Sequence, residues 1–249
     1  MRISMLIVLL LGLHWTAQAE EKTAPVQAAQ SGEPDKTLLR ELIGEAADQV
    51  TLKPAPLPAM YEAVIEGEIF YLSADGRYMI RGGDILDLKA QGKNLTEERR
   101  NGMRLQTLQT LKPEEMVIFK PKGATKHVLT VFTDVDCFYC AKLHNEVDKL
   151  NAAGVEVRYL AFPRAGVGSP TYQTMVSVWC ADNRQQAMTD AKADKEIPNK
   201  TCPNPVASQY ELGKQMGVSG TPALLMPDGE LFPGYAPADK LIGYLNKKS

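Results

Sequence analysis

The chain has no marked excess of charge. Its 28 Lys and Arg stand against 30 Asp and Glu, a formal net charge of −2. No basic cluster breaks that balance, so nothing in it calls for a nucleic-acid partner. It also lacks a long apolar run. The stretch Met5 to Leu13 falls well short of the ~20 residues that cross a bilayer as a helix. Cysteine is scarce, at four residues, so each one needs a reason. What is present, 44% hydrophobic and 23% charged residues over 249 positions, excludes a disordered chain and leaves room for two small domains.

The N-terminus reads as a processing segment. Arg2 supplies a positive start, Met5 to Leu13 an apolar centre, and Ala17-Gln18-Ala19 a small-x-small cleavage site. Residues 1–19 are therefore expected to be a signal peptide, removed near Ala19, and the mature chain to be exported and soluble. Exported proteins meet oxidising compartments, where disulfides persist. Glu20 to Pro34 shows no apolar periodicity and reads as a mobile leader.

From Asp35 the pattern becomes helical, with Leu38, Leu39, Leu42, Ile43 and Ala46 on one face. Short β-type runs follow at Tyr61 to Ile65, Ile69 to Leu72 and Tyr78 to Arg81, with the turn signal Asp75-Gly76 between the last two. One helix and a few strands make a thin core. Pairing of an exposed sheet edge with a second copy would thicken it; packing on the rest of the same chain is the alternative. Leu95 to Leu111 reads as one helix, opened by Thr96 and ended before Pro113. It is either a connector about 25 Å long or an ordinary packed helix.

Beyond Pro113 strands and helices alternate, which implies a mainly parallel or mixed sheet covered on its faces. Strands are expected at Met116 to Phe119, His127 to Val135 and Val155 to Phe162, and helices at Tyr172 to Ala181, Asn183 to Ala191 and Pro205 to Met216. A hairpin turning at Asp228-Gly229 and a closing helix, Pro237 to Leu245, complete the chain. At the junction of the second strand with the helix that follows it stands Cys137-Phe138-Tyr139-Cys140. A strand that turns directly into a helix sets Cys137 at the helix N-terminus, where free N–H groups and the dipole favour a thiolate. Only the thiolate attacks a disulfide, and a thiol of pKa ~8.5 is only about 3% ionised at pH 7. Cys140, one turn on, is placed to close a bond with Cys137 or to release a mixed disulfide trapped on it. C-x-x-C is also half a zinc site, but its other ligands would have to come from Cys180, Cys202 or His144 at irregular spacing; the redox reading is preferred and no metal or cofactor is expected. His144 lies two turns beyond Cys137, either supporting the thiolate or standing as a partly exposed helix residue.

Val131-Phe132-Thr133-Asp134 before the cysteine pair, Lys142-Leu143-His144 after it, Arg158 to Arg164, Trp179-Cys180, Gly217 to Ala223 and Pro233-Gly234-Tyr235 together resemble the thioredoxin superfamily and, within it, the DsbC/DsbG family of disulfide isomerases. The resemblance is specific over residues 116–245 and holds only in outline before them. It implies an α+β chain. A small N-terminal cystatin-like dimerisation domain (20–93) is joined by a linker helix (94–112) to a C-terminal thioredoxin fold with a helical insertion (113–249). It implies a periplasmic homodimer that acts on wrong disulfides of exported proteins and is kept reduced by a DsbD-like membrane enzyme. Isomerisation, DsbG-like protection of single cysteines and holdase action are the activities such a chain allows. The resemblance makes Cys137 the nucleophile and Cys140 the resolving thiol, Cys180 and Cys202 a structural disulfide, and Thr221-Pro222 a cis-proline loop that binds substrate along with Phe138 and Tyr139. Two departures are visible. Phe138 stands where the family usually has Gly, and Val131 stands where thioredoxin has a buried acid that assists the second thiol.

Overall fold

The computed structural model describes residues 34–248; the expected signal peptide and nearly all of the expected leader lie outside them. Two short helices come first, α1 (Thr37–Ile43) and α2 (Ala46–Gln49), separated at Gly44, whose φ of +66° ends the first. The single amphipathic helix read from the sequence is thus broken, and its face is misassigned. Leu39 and Ala47 are buried, whereas Leu38 and Leu42 point to solvent. β1 (Leu52–Pro54), which the periodicity missed, β2 (Met60–Ile65), β3 (Glu68–Ser73) and β4 (Met79–Arg81) form an antiparallel sheet in that order. Its core is small: Leu39, Ala47, Val50, Ala63, Phe70 and Leu72, with Ile43, Leu52 and Ile65 at its margin. The last strand, β4, is exposed along its whole length.

A two-residue hairpin, β5 (Leu86–Asp87) and β6 (Lys93–Asn94), leads into α3 (Leu95–Thr110). The helix is capped by Asn94, whose side chain accepts the Glu97 amide at 2.8 Å, and not by Thr96. Thr96 is fully buried, and its hydroxyl bonds Tyr71 of β3 at 2.6 Å. Arg99 on the next turn pairs with Glu62 of β2 at 2.7 Å. Further along, the buried Arg104 donates to the Met216 carbonyl at 3.1 Å, and Leu108 and Leu111 pack on the second core. The helix both connects and packs.

The second sheet holds β7 (Val117–Phe119), β8 (His127–Thr133), β9 (Val155–Ala161), β10 (Ala223–Leu225) and β11 (Leu231–Pro233) in the order β11-β10-β8-β9-β7. β8 and β9 run parallel and the other pairs antiparallel, the mixed sheet expected. Side chains alternate across it. Leu129, Val131, Val157, Tyr159 and Leu224 enter one buried cluster; Phe132, Leu160, Ala223 and Leu225 enter another on the opposite face.

Both faces are covered because helices intervene between strands: α4 (Phe138–His144), α5 (Val147–Ala152), α6 (Pro170–Trp179), α7 (Arg184–Lys192), α8 (Val206–Gln215) and α9 (Ala238–Lys247). α6 and α7 are inserted between β9 and α8. α8 can press on the Phe132 and Phe162 rings only because residue 213 is glycine, since a Cβ there would meet Phe162 Cδ2 at 2.6 Å. Buried Gln209 of the same helix accepts the Ala161 amide at 2.8 Å and donates to the Glu115 carbonyl at 2.6 Å. These contacts set where the loop after α8 emerges. No helix among the described residues is long and apolar enough to cross a membrane.

Candidate active site

β8 ends at Thr133, the four residues 134–137 turn the chain, and α4 begins. Asp134 makes that turn rigid. Its buried carboxylate accepts the Asp136 amide at 2.8 Å and both the amide and Nε of Arg164 at 2.9 Å. Thr171 of α6 donates its hydroxyl to Asp136. Cys137 then caps α4 with its sulfur, which accepts the Cys140 amide at 3.3 Å. This is the strand-to-helix placement the spacing predicted. Across from it, the loop leaving α8 brings in Thr221-Pro222, joined by a cis peptide bond. The Cys137 thiol donates to the Thr221 carbonyl at 3.3 Å.

The two thiols are free and buried, and their environments push them apart. Cys137 is pulled down to about 5, chiefly because the Cys140 S–H donates to its thiolate. Burial opposes the shift; the Thr221 hydroxyl, the Cys140 amide and the Arg164 charge support it. Cys140 is driven far above the ordinary thiol range, first by burial and then by its bond to Cys137. Thr221 Oγ1 is the one buried side-chain polar atom without a hydrogen-bond partner among the described residues. An ionised sulfur beside it is the acceptor it lacks.

Phe138 and Tyr139, between the cysteines, face outward at 75% and 54% exposure. Their rings meet edge-on at 5.3 Å, and Tyr139 stacks on Tyr235 at 6.1 Å. Tyr235 is fixed in turn by a hydrogen bond to Glu146 and by Lys142, whose ammonium lies 4.7 Å from its ring centre. The result is an aromatic rim beside a polar, buried sulfur pair.

Cys180 and Cys202 are bonded to each other, with Cα atoms 5.7 Å apart and a sequence separation of 22. They follow α6 and precede α8, and neither is bonded to Cys137 or Cys140.

Two features of the site were not visible in the sequence. His144 is neither partly exposed nor a support for the thiolate. It is buried between Tyr159 and Thr189, 3.0 Å from each hydroxyl, and burial holds it down to about 4. A neutral imidazole adds no charge to the site. The cations that do reach the sulfurs are Arg164 and Lys192, which arrive from a loop and a helix distant in sequence; Arg164 ends a segment quoted for the resemblance, and Lys192 belongs to none. Among the described residues no three His, Cys, Asp or Glu side chains gather closely enough to hold a metal.

Comparison with known proteins agrees with this geometry. Residues 113–249 match the thioredoxin-like domain family, and residues 21–97 match the N-terminal domain of the disulfide bond isomerase proteins. The chain is 38% identical over 197 residues to the thiol:disulfide interchange protein DsbC of Escherichia coli K12, covering 79% of this chain and 80% of that protein. It is 35% identical over 217 residues to the DsbC of Haemophilus influenzae, covering 87% and 92%. Among solved structures, a disulfide interchange protein from Neisseria gonorrhoeae superposes with a TM-score of 0.50 at 31% identity, covering 55% of this chain and 97% of that one. With a matched thioredoxin-like domain, a matched isomerase N-terminal domain and a cysteine pair set against a cis-proline, the chain belongs to the DsbC family of disulfide isomerases.

Proposed function

We propose that this protein rearranges and reduces wrong disulfides in exported proteins, with Cys137 as nucleophile and Cys140 as resolving thiol. The observation that carries the reading is the placement of the two sulfurs: Cys137 caps α4 opposite the cis Thr221-Pro222 bond and accepts the Cys140 amide, surroundings that pull Cys137 down and push Cys140 up. The Cys137 thiolate attacks a client disulfide, forms a mixed disulfide and releases one client thiolate. A second client thiol then displaces Cys137, which is isomerisation, or Cys140 does so, which is reduction.

Phe138 and Tyr139 form the first surface a client meets, and the Thr221-Pro222 backbone beside β10 offers an extended segment for a client strand to pair with. The Cys180–Cys202 bond serves structure, since it ties the end of α6 to the segment leading into α8. Residues 20–93 are the dimerisation domain, 94–112 the linker and 113–249 the catalytic domain. The homodimer forms across β4, an edge strand with Met79, Ile80 and the neighbouring Tyr78 exposed to solvent. Two such copies keep each active pair away from oxidants, so that a DsbD-like membrane reductase maintains the thiols in the periplasm after cleavage near Ala19.

Replacing Cys137 by Ala tests the assignment. Reactivation of a scrambled multi-disulfide substrate should vanish while the dimer and the Cys180–Cys202 bond persist; reactivation at the original rate would remove Cys137 from the mechanism.

A further inference from the structure

Lys192 closes α7 with its side chain turned into the protein, 8% exposed. Its ammonium donates to the Thr133 hydroxyl at 2.7 Å and to the Asp134 carbonyl at 3.3 Å, and lies 5.5 Å from the centre of the Tyr159 ring. Among the described residues no carboxylate is within hydrogen-bond reach of it. A buried cation without an ion-pair partner is costly, and a methionine would fill the same space without that cost. Two hydrogen bonds and the more distant Asp134 and Asp136 carboxylates favour the charge without giving it a chemical role.

The neighbouring sulfur gives one. The Asp134 carbonyl that Lys192 holds also accepts the Cys137 amide at 3.3 Å, and the Cys137 sulfur accepts the Cys140 amide at 3.3 Å, so the ammonium is lodged on the turn that carries both sulfurs and its charge reaches Cys140. Building on the roles assigned above to Cys137 and Cys140, we propose that Lys192 is a positioning charge for the resolving step, stabilising the Cys140 thiolate as it attacks the mixed disulfide and frees the client.

The step balances without an outside reagent. Cys140 Sγ bonds to Cys137 Sγ, the bond from Cys137 to the client sulfur breaks, and the client leaves as a thiol carrying the proton that Cys140 gives up. In this step the Cys140 sulfur is oxidised from thiol to disulfide level and the leaving client sulfur is reduced by the same amount; over attack and release together the cysteine pair loses two electrons and the two client sulfurs gain them. In the mixed disulfide Cys137 carries no charge, so the ammonium acts on Cys140 alone. The other groups facing this spot do not substitute for it. Arg164 is committed to the Asp134 carboxylate, and Asp136 accepts the Thr171 hydroxyl. His144 on α4 is neutral and Tyr159 on β9 is a phenol held un-ionised by burial. Asp190 on α7 faces outward to Gln186 and Lys195. Burial lowers Lys192 to about 8, while its largest favourable charge contact is with Cys140. At neutral pH it is still mostly protonated. The consequence is a choice of outcome: a faster resolving step shortens the life of the mixed disulfide and favours reduction over isomerisation.

The test follows the two steps separately in the reduced full-length protein with oxidised glutathione, reading loss of the Cys137 thiolate and then release of the second glutathione, in wild type, Lys192→Met and Lys192→Arg. Loss of a charge that shifts a neighbouring thiol by ~1–3 pKa units, half offset by the greater nucleophilicity of the more basic thiolate, should slow release about 3- to 30-fold. Attack by Cys137, which Lys192 also faces, should slow less than release does. Lys192→Arg should keep most of the release rate. In wild type the rise of release with pH should flatten above about 8; in Lys192→Met it should not. Release at the wild-type rate in Lys192→Met overturns the inference, as does a wild-type profile with no break if that variant does not fold. Failure of Cys137 to react at all would instead overturn the assignment of the site on which this inference rests.

Discussion

Cys137 and Cys140 differ by three positions and by almost everything else. One sulfur caps a helix and faces an unpartnered hydroxyl; the other lies beneath it with a backbone amide and an ammonium nearby. The asymmetry predicts that alkylation of Cys137 in the reduced protein has its midpoint at about pH 5 and changes little between pH 6 and 8. Cys140 should stay unreactive over the same range; a midpoint near that of a free thiol, ~8.5, would contradict the geometry. The sign for stability follows. A thiol whose folded value lies below its unfolded one adds stability that is complete above the unfolded value and is lost as pH falls toward about 5. The reduced form should therefore gain stability from pH 5 to pH 8, measured by denaturant titration, and the disulfide form should lack that gain. At this scale the sequence was partly legible. C-x-x-C and Thr221-Pro222 are local patterns whose backbone consequences are local. Lys192, Arg164 and the buried imidazole of His144 owe their roles to chains that meet only after folding, and a helix-face argument put His144 in the wrong environment.

The elements repeat that lesson with different causes. α3, α6, α7, α8 and α9 stand within a residue or two of where periodicity and caps set them, because their apolar stripes and turn residues report one packing face each. α1 does not, because Gly44 breaks the helix and its leucines divide between core and solvent. The mixed order of the second sheet follows from alternation of strand and helix, but β1 and the β5–β6 pair are too short to show a period. Arg104 is the element-scale residue that sequence reading passed over. On α3 it holds Glu97 and Asn101 of its own helix and the carbonyl of Met216, at the start of the stretch that leads to Thr221. Arg104→Ala leaves that buried carbonyl unpaired. It should lower stability by about 2–3 kcal/mol, read as a shift in the denaturation midpoint. A shift under about 0.5 kcal/mol would mean that α3 is held by its leucines alone.

Over the whole molecule the thin first sheet poses the remaining question. Its core has few large side chains, and its outer strand shows Tyr78 and Ile80 at 59% and 45% exposure. A second copy across β4 would cover them. Ile80→Lys should then give a monomer by sedimentation while near-ultraviolet circular dichroism of the second sheet and its helices stays intact. The monomer should reduce small disulfides as before but lose most of its ability to rescue a scrambled client. A dimer that survives the substitution would move the interface elsewhere.

The Cys180–Cys202 bond has a bearing on how the molecule itself matures. Four cysteines can pair in three ways, and only one of these leaves Cys137 beside Cys140. Either of the other two would tie an attacking sulfur to a remote loop. A chain mispaired in either way would carry, in its own sequence, the kind of error that disulfide isomerases act on.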